Sequence, residues 1–236
     1  MSDIESASPD FPLSEAGGAQ LQALHTLSAL GWHYLSRAEV ERLRGNRRSE
    51  VLLQDVLRKQ LGRINRIRYD GRNHPFSEEN LHTAIQRLRE QPFQGLLRNN
   101  EAATDLLQLG TALPQRIDNL QREWSLRYVD WDDWQANAFH MAAEFPVETV
   151  PGQVVRPDIV LFVNGIPFAV IEVKSPREDV QQAISQQLRN QKQDDGAPGL
   201  FQTVQLLIAA QPNAPRYATV GTPASSSSSG TTTRRR

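Results

Sequence analysis

The chain has 236 residues, 39% hydrophobic and 22% charged and with no cysteine, which bounds it to a globular protein with one good core or two small ones and excludes disulfides and thiolate metal sites. Lys and Arg number 26 against 27 Asp and Glu, a net charge of −1, so global charge lends no support to a dedicated nucleic-acid binder. No apolar stretch approaches the length of a membrane span, because the run from Ile159 is broken by Asn164, Gly165 and Pro167.

Residues 1–16 read as a disordered leader, polar and acidic, without the basic and apolar run of a signal peptide. With zero cysteines, that fits a cytoplasmic protein. From Gln20 the pattern is helical: Leu21, Leu24, Leu27 and Leu30 recur at helical spacing until Gly31 stops them. A second helix is predicted over Ser49 to Leu61, with Val51, Leu52, Val56 and Leu57 on one face and Arg58 and Lys59 in its last turn. Ser77 is a good N-cap for a helix through about Arg89, with Glu78 and Glu79 in its first turn and Leu81, Ala84, Ile85 and Leu88 as its buried stripe. Another runs from about Ala102 to Leu109 and ends at Gly110. Arg42, Arg44, Arg47, Arg48, Arg58, Lys59, Arg63, Arg66, Arg68 and Arg72 crowd this region, either as a solvated helix surface or as a phosphate-tracking patch.

The character changes after Trp124. Ser125–Val129, Phe139–Val147, Asp158–Val163, Phe168–Val173 and Val204–Ala209 read as strands, with one helix at about Val180 to Gln191. The expectation is one α/β domain over 17–221, mainly helical over 17–120 and carrying the sheet and catalytic core over 121–221. Residues 222–236 are low complexity, Ser225–Ser229, Thr231–Thr233 and Arg234–Arg236 offering nothing to a core. Two readings stand for this tail: a natural disordered end, or the trace of a frameshift or truncation, since shifted codons would read Phe-Phe-Leu-Glu-Trp.

The chemistry concentrates between Arg156 and Lys174. Asp158 starts one apolar strand, and Glu172-Val173-Lys174 ends the next. A lone Asp…Glu-x-Lys is weak, but here each carboxylate bounds or interrupts an apolar strand, where charge is costly unless paired or metal-bound. Glu172 and Lys174 lie two apart and share a face. Asn164-Gly165 marks the hairpin turn. A plain two-residue loop would set Asp158 opposite Ile171, on the wrong face, so a shared metal requires a three-residue loop with a bulge, or a bend in the first strand, that puts Asp158 beside Glu172. Pro167, which donates no ladder hydrogen bond, fits just beyond such a loop. In that arrangement Asp158, Glu172 and the Val173 carbonyl would hold one or two Mg²⁺, and Lys174 would orient or help deprotonate the attacking water. The plain alternative is an edge salt bridge between Glu172 and Lys174.

These residues resemble the N-terminal nuclease domain of type I restriction enzyme R subunits. The likeness extends to Leu30-Gly31-Trp32-His33-Tyr34, Val51-Leu52-Leu53, Leu61…Ile64-Asn65, Phe76-Ser77-Glu78, Asn99-Asn100-Glu101, Asn137-Ala-Phe139 and Phe145. It continues through Pro198-Gly-Leu200-Phe201 and Tyr217-Ala-Thr-Val-Gly221-Thr222, spanning roughly residues 20–222. The resemblance implies a restriction-endonuclease-like mixed sheet flanked by helices, with a helical N-terminal subregion. It implies Mg²⁺-dependent DNA cleavage by Asp158, Glu172 and Lys174 as PD-(D/E)xK residues, and modification and specificity subunits as partners. The family's Gln-x-x-x-Tyr motif is half matched: Gln187 stands at its first position, in a DNA-binding or water-positioning role, and Gln191 replaces the tyrosine. Family members continue into an ATP-driven translocase, and these 236 residues contain no Gly-x-x-x-x-Gly-Lys-Ser/Thr loop for ATP.

The five histidines show no metal-ligand spacing, and Trp124, Trp131, Trp134 and Tyr128 read as packing before they read as a base-stacking platform. The competing class is a catalytically silent DNA-binding or subunit-docking module, suggested by the missing tyrosine together with the expected truncation at the end.

Overall fold

Helical stripes and their caps account for most of the first half of the chain in the computed structural model, which describes residues 17–229 apart from 93, 151, 195 and 227. The expected leader, 1–16, and the end of the tail, 230–236, lie outside the described residues. Helix α1 (Gly18–Ala29) ends near Gly31, whose φ of 93° only glycine adopts freely. After the short strand β1 (His33–Tyr34) comes α2 (Arg37–Leu43), a helix the apolar pattern misses because it offers only Val40 and Leu43 to the core. Its legible signal is a capping box: the Ser36 side chain accepts from the Glu39 N–H, and the Glu39 carboxylate accepts from the Ser36 N–H. Helix α3 (Gln54–Ile64) begins five residues later than predicted and runs on to Ile64, so Arg58 and Lys59 lie mid-helix and Arg63 takes the last turn.

A hairpin of β2 (Ile67–Tyr69) and β3 (Arg72–His74) precedes α4 (Glu78–Arg89), which has the predicted Ser77 cap. Its stripe Leu81, Ala84, Ile85 and Leu88 is buried, about 2 kcal/mol for each large apolar side chain. Helix α5 (Leu96–Leu109) ends at Gly110 as expected. A second hairpin, β4 (Thr111–Ile117) with β5 (Leu120–Leu126), was not legible as a pair because Pro114 and polar residues dilute β4.

The remaining elements are β6 (Phe139–Ala143), β7 (Val147–Val150), β8 (Gln153–Val155), β9 (Ile159–Val163), β10 (Ile166–Val173), α6 (Val180–Asn190), α7 (Pro198–Phe201), β11 (Leu206–Ala210), β12 (Arg216–Ala218) and β13 (Ser228–Ser229). The seven-stranded sheet has the order β1-β6-β9-β10-β11-β12-β13, with β1/β6 and β10/β11 parallel and the other pairs antiparallel. It is mixed and flanked by helices, as a restriction-endonuclease-like fold requires. Both faces of β9 are covered, which is why its sequence is a continuous apolar run. Ile159 and Leu161 pack with Leu24 of α1, while Val160 and Phe162 pack with Leu43 of α2 and Leu200 and Phe201 of α7.

Part of the expected tail is structured: the Thr222 N–H donates to the Thr219 carbonyl at 3.2 Å, and Ser228–Ser229 add an edge strand to β12.

Candidate active site

The register of one hairpin decides the site. Asn164 and Gly165, with φ of 54° and 84°, form a two-residue turn and not the three-residue loop expected, so Ile166 pairs with Val163 and Pro167 with Phe162, and the irregularity falls in the second strand rather than the first. Between Pro167 and Ala169 the register shifts by one residue: Ala169 pairs with Leu161, Val170 with Val160 and Ile171 with Ile159. The extra residue, Phe168, is a β-bulge beside a proline that could not have completed the ladder. Continued one step, the shifted register sets Asp158 across from Glu172 rather than Ile171. The turn itself is pinned: Asn164 is fully buried, its Nδ2 donating to the Tyr128 carbonyl at 2.9 Å and to Asn137 Oδ1 at 2.8 Å. A Cβ on Gly165 would stand 2.6 Å from the Leu53 carbonyl oxygen.

At the far end of this hairpin the carboxylates meet. Asp158 Oδ2 accepts from the Val173 N–H at 2.7 Å. Glu172 is 0% exposed; its Oε1 accepts from Asn190 Nδ2 at 3.3 Å, and its Oε2 is buried with no partner among the described residues. Burial first, and then the Asp158 charge beside it, push the Glu172 carboxyl up to about 9. An acid so placed holds a proton at neutral pH, or gives it up to a cation. The Glu172–Lys174 salt bridge is not formed: the Lys174 ammonium donates instead to Gln186 Oε1 at 3.3 Å.

Two carboxylates with a neighbouring backbone carbonyl form an all-oxygen set. That suits a hard divalent ion such as Mg²⁺, which keeps several waters of its own. Among the described residues no group of three or more His, Cys, Asp or Glu is arranged to hold a metal. The buried, unpartnered Glu172 oxygen is therefore the feature that fits such an ion.

A family profile described as the type I restriction enzyme R protein N terminus matches residues 12–225. The chain belongs to this family. Similar proteins include the putative type I restriction enzyme MjaVIIIP endonuclease subunit of Methanocaldococcus jannaschii, 27% identical over 187 residues, which are 77% of this chain and 16% of that protein. The type I restriction enzyme HindI endonuclease subunit of Haemophilus influenzae is 28% identical over 171 residues, 69% of this chain and 15% of that protein. The chain thus spans about a sixth of the length of these relatives.

In this member of the family, Gln187 is 5% exposed and its Nε2 donates to the Ile208 carbonyl at 2.8 Å and toward that of Val170 at 3.4 Å. It ties α6 to β10 and β11. Gln191, at the tyrosine position, donates back to the Gln187 carbonyl and accepts from Gly221. Three residues of the site were not singled out from sequence. Asn190 positions Glu172; Gln20 of α1 donates to the Asp158 carbonyl at 2.9 Å and to Glu144 Oε1 at 3.2 Å; and the Glu144 N–H donates to the same Asp158 carbonyl. Gln20 and Asn190 share a signal, a polar residue on an otherwise apolar helical stripe: Gln20 lies one turn before Leu24, and Asn190 follows Ala183, Ile184 and Gln187; Glu144, in the bend after β6, has no such signal.

The basic cluster at 42–72 is largely consumed internally. Arg44 is fully buried, held by Glu41 at 2.7 Å and the Pro146 carbonyl at 2.6 Å and stacked over Phe145. Arg48 pairs with Glu41 and Arg58 with Glu78, while Arg63 and Arg66 donate to backbone carbonyls. Trp124 and Tyr128 are buried as expected, whereas Trp131 and Trp134 are 55% and 66% exposed. Both lie near the Asn164 turn, a strand length from the carboxylates, and do not line the site. No helix among the described residues is long and apolar enough to cross a membrane.

Proposed function

We propose that this chain is the Mg²⁺-dependent DNA endonuclease domain of a type I restriction-modification system, hydrolysing phosphodiester bonds in the cytoplasm. The observation that carries the reading is the bulge at Phe168, which sets Asp158 opposite Glu172 and leaves a buried glutamate oxygen without a partner. Asp158, Glu172 and the Val173 carbonyl would hold the ion, which supplies charge stabilisation at the phosphate when bound. Lys174, steadied by Gln186, presents its remaining N–H bonds to the attacking water and the developing negative charge. Asn190 keeps the Glu172 carboxylate aimed, and the Asp158 carboxylate is held by the Val173 N–H. Gln187 serves as a positioning residue, holding α6 against the strand that carries Glu172.

The relatives are named as endonuclease subunits of type I restriction enzymes, and by that likeness the partners are DNA and the modification and specificity subunits. We assign no ATP site to these 236 residues; ATP-driven translocation would belong to parts of the relatives this chain does not span. A second reading, a silent docking module, is favoured by Gln191, whose amide is spent on backbone contacts where the family carries tyrosine.

The test is calorimetric titration of Mg²⁺ and Mn²⁺ into wild type and Asp158→Ala. Binding in wild type that is lost in the variant supports the metal centre. Absence of binding in two folded proteins removes it and leaves the docking module. A plasmid-nicking comparison of wild type with Lys174→Ala then separates metal binding from cleavage.

A further inference from the structure

Lys174 stands between two depressions of different character. On the α1 side the groove is apolar, lined by residues such as Ala23, Leu27, Ile208 and Pro212. On the α6 side lies an open groove of about 410 Å³, lined by Lys174, Gln181, Gln182, Ser185, Gln186 and Arg189. Every one of those six side chains carries a hydrogen-bond donor, two are cationic and none is a carboxylate. Gln182, Ser185, Gln186 and Arg189 follow one another at helical spacing, a stripe about 10 Å long beside the Lys174 ammonium.

We propose that this groove takes a backbone phosphate of the DNA strand being cut, adjacent to the scissile one, with Arg189 as its principal contact and Ser185 and Gln182 as neutral donors. The inference rests on the proposed function in taking DNA as the ligand, and goes beyond it in assigning the path of the strand.

Three observations support it. Arg189 is exposed, and neither it nor Lys174 forms an ion pair among the described residues, whereas Arg44, Arg47, Arg48 and Arg58 are all paired with glutamates. The two acids at the start of α6 are occupied: Glu178 accepts from the Ser175 N–H, and Asp179 from the Gln181 N–H. Finally, Gln186 bridges the groove and the site, because its Oε1 fixes the Lys174 ammonium at 3.3 Å. A phosphate in the groove would thus find an unpaired guanidinium within one helical turn of the group that orients the catalytic lysine. The electropositive face that meets DNA is thus placed on α6.

The experiment is fluorescence anisotropy of a labelled DNA duplex of about 20 base pairs, with Ca²⁺ in place of Mg²⁺, read across a salt series. Arg189→Ala is expected to weaken binding about three- to tenfold near 0.1 M salt and to reduce the salt slope by about 0.9, the loss of one phosphate contact. Arg189→Lys should recover most of the affinity, Ser185→Glu should lose more than Arg189→Ala, and Arg58→Ala should match wild type. Unchanged binding and slope in Arg189→Ala, an equal loss in Arg58→Ala, or no duplex binding by wild type at low salt overturns the proposal. A Mg²⁺ isotherm on the same proteins keeps the two readings apart. Metal binding without an Arg189 effect rejects the groove and spares the nuclease centre; an Arg189 effect without metal binding supports the groove and rejects the centre.

Discussion

Replacing Glu172 by Gln should make the metal-free protein more stable while abolishing its response to Mg²⁺. The carboxyl is fully buried and titrates near 9, against an ordinary value of 4.5. Because the folded-state value is the higher one, the native state holds a proton that the unfolded chain has released between those two values. Stability therefore falls as pH rises from about 4.5 to about 9, by at most about 1.4 kcal/mol per pH unit. At pH 7.5 the accumulated penalty is on the order of 4 kcal/mol. Glutamine has the shape of the protonated acid: its Oε1 can keep the Asn190 hydrogen bond, and its Nε2 can donate toward Asp158 where the unpartnered oxygen stood. It carries no charge to neutralise. The expected gain for Glu172→Gln at pH 7.5 is about 2–4 kcal/mol, a rise in Tm of roughly 5–15 °C for a domain of this size, shrinking toward zero near pH 4.5. Urea unfolding at several pH values, with and without Mg²⁺, measures it; wild type alone should be stabilised by the ion. A variant no more stable than wild type at pH 7.5, or a difference that does not change with pH, would refute the argument.

Asn190→Ala removes the hydrogen bond to Glu172 Oε1 and should weaken Mg²⁺ binding roughly tenfold in calorimetry, with a stability loss of about 1–2 kcal/mol; unaltered metal affinity would deny Asn190 its positioning role. Gly165→Ala meets both a positive φ and a carbonyl oxygen 2.6 Å away, and should cost about 2–4 kcal/mol in denaturant unfolding. Arg44→Ala leaves a buried site without its guanidinium and should destabilise by about 3–5 kcal/mol, yet DNA affinity in the refolded fraction should stay at the wild-type level, since Arg44 is fully buried.

Much of the fold was legible because the signals were local. The stripe and Ser77 cap of α4, the Gly31 and Gly110 helix ends, and the apolar runs of β9 and β10 each express a short-range preference that the tertiary structure only had to honour. Elements with diluted signals escaped: α2 through its brevity, β4 through Pro114, and β7 and β8 because their apolar residues were read as one longer strand or as loop. The arginine cluster at 42–72 was ambiguous for the same reason. Sequence records how many charges a segment has, not which of them are spent on Glu41, Glu50 or a carbonyl.

What the sequence by itself determined is the inventory and its local placement: Asp158 before one apolar strand, Glu172 and Lys174 on one face of the next, and Asn164-Gly165 as the turn between them. Only the tertiary structure decided that these groups meet. A strand's side chains alternate with period two, so whether Asp158 faces Glu172 depends on one inserted residue, and it is the packing around Pro167 and Phe168 that admits the bulge. The partners that surround the pair, Gln20 from α1, Glu144 beside β6 and Asn190 from α6, lie 18 to 138 positions away in the chain from the carboxylates or backbone they reach, apart from Glu144. No local preference links residues so separated; the folded core brings them together by burying the helices that carry them.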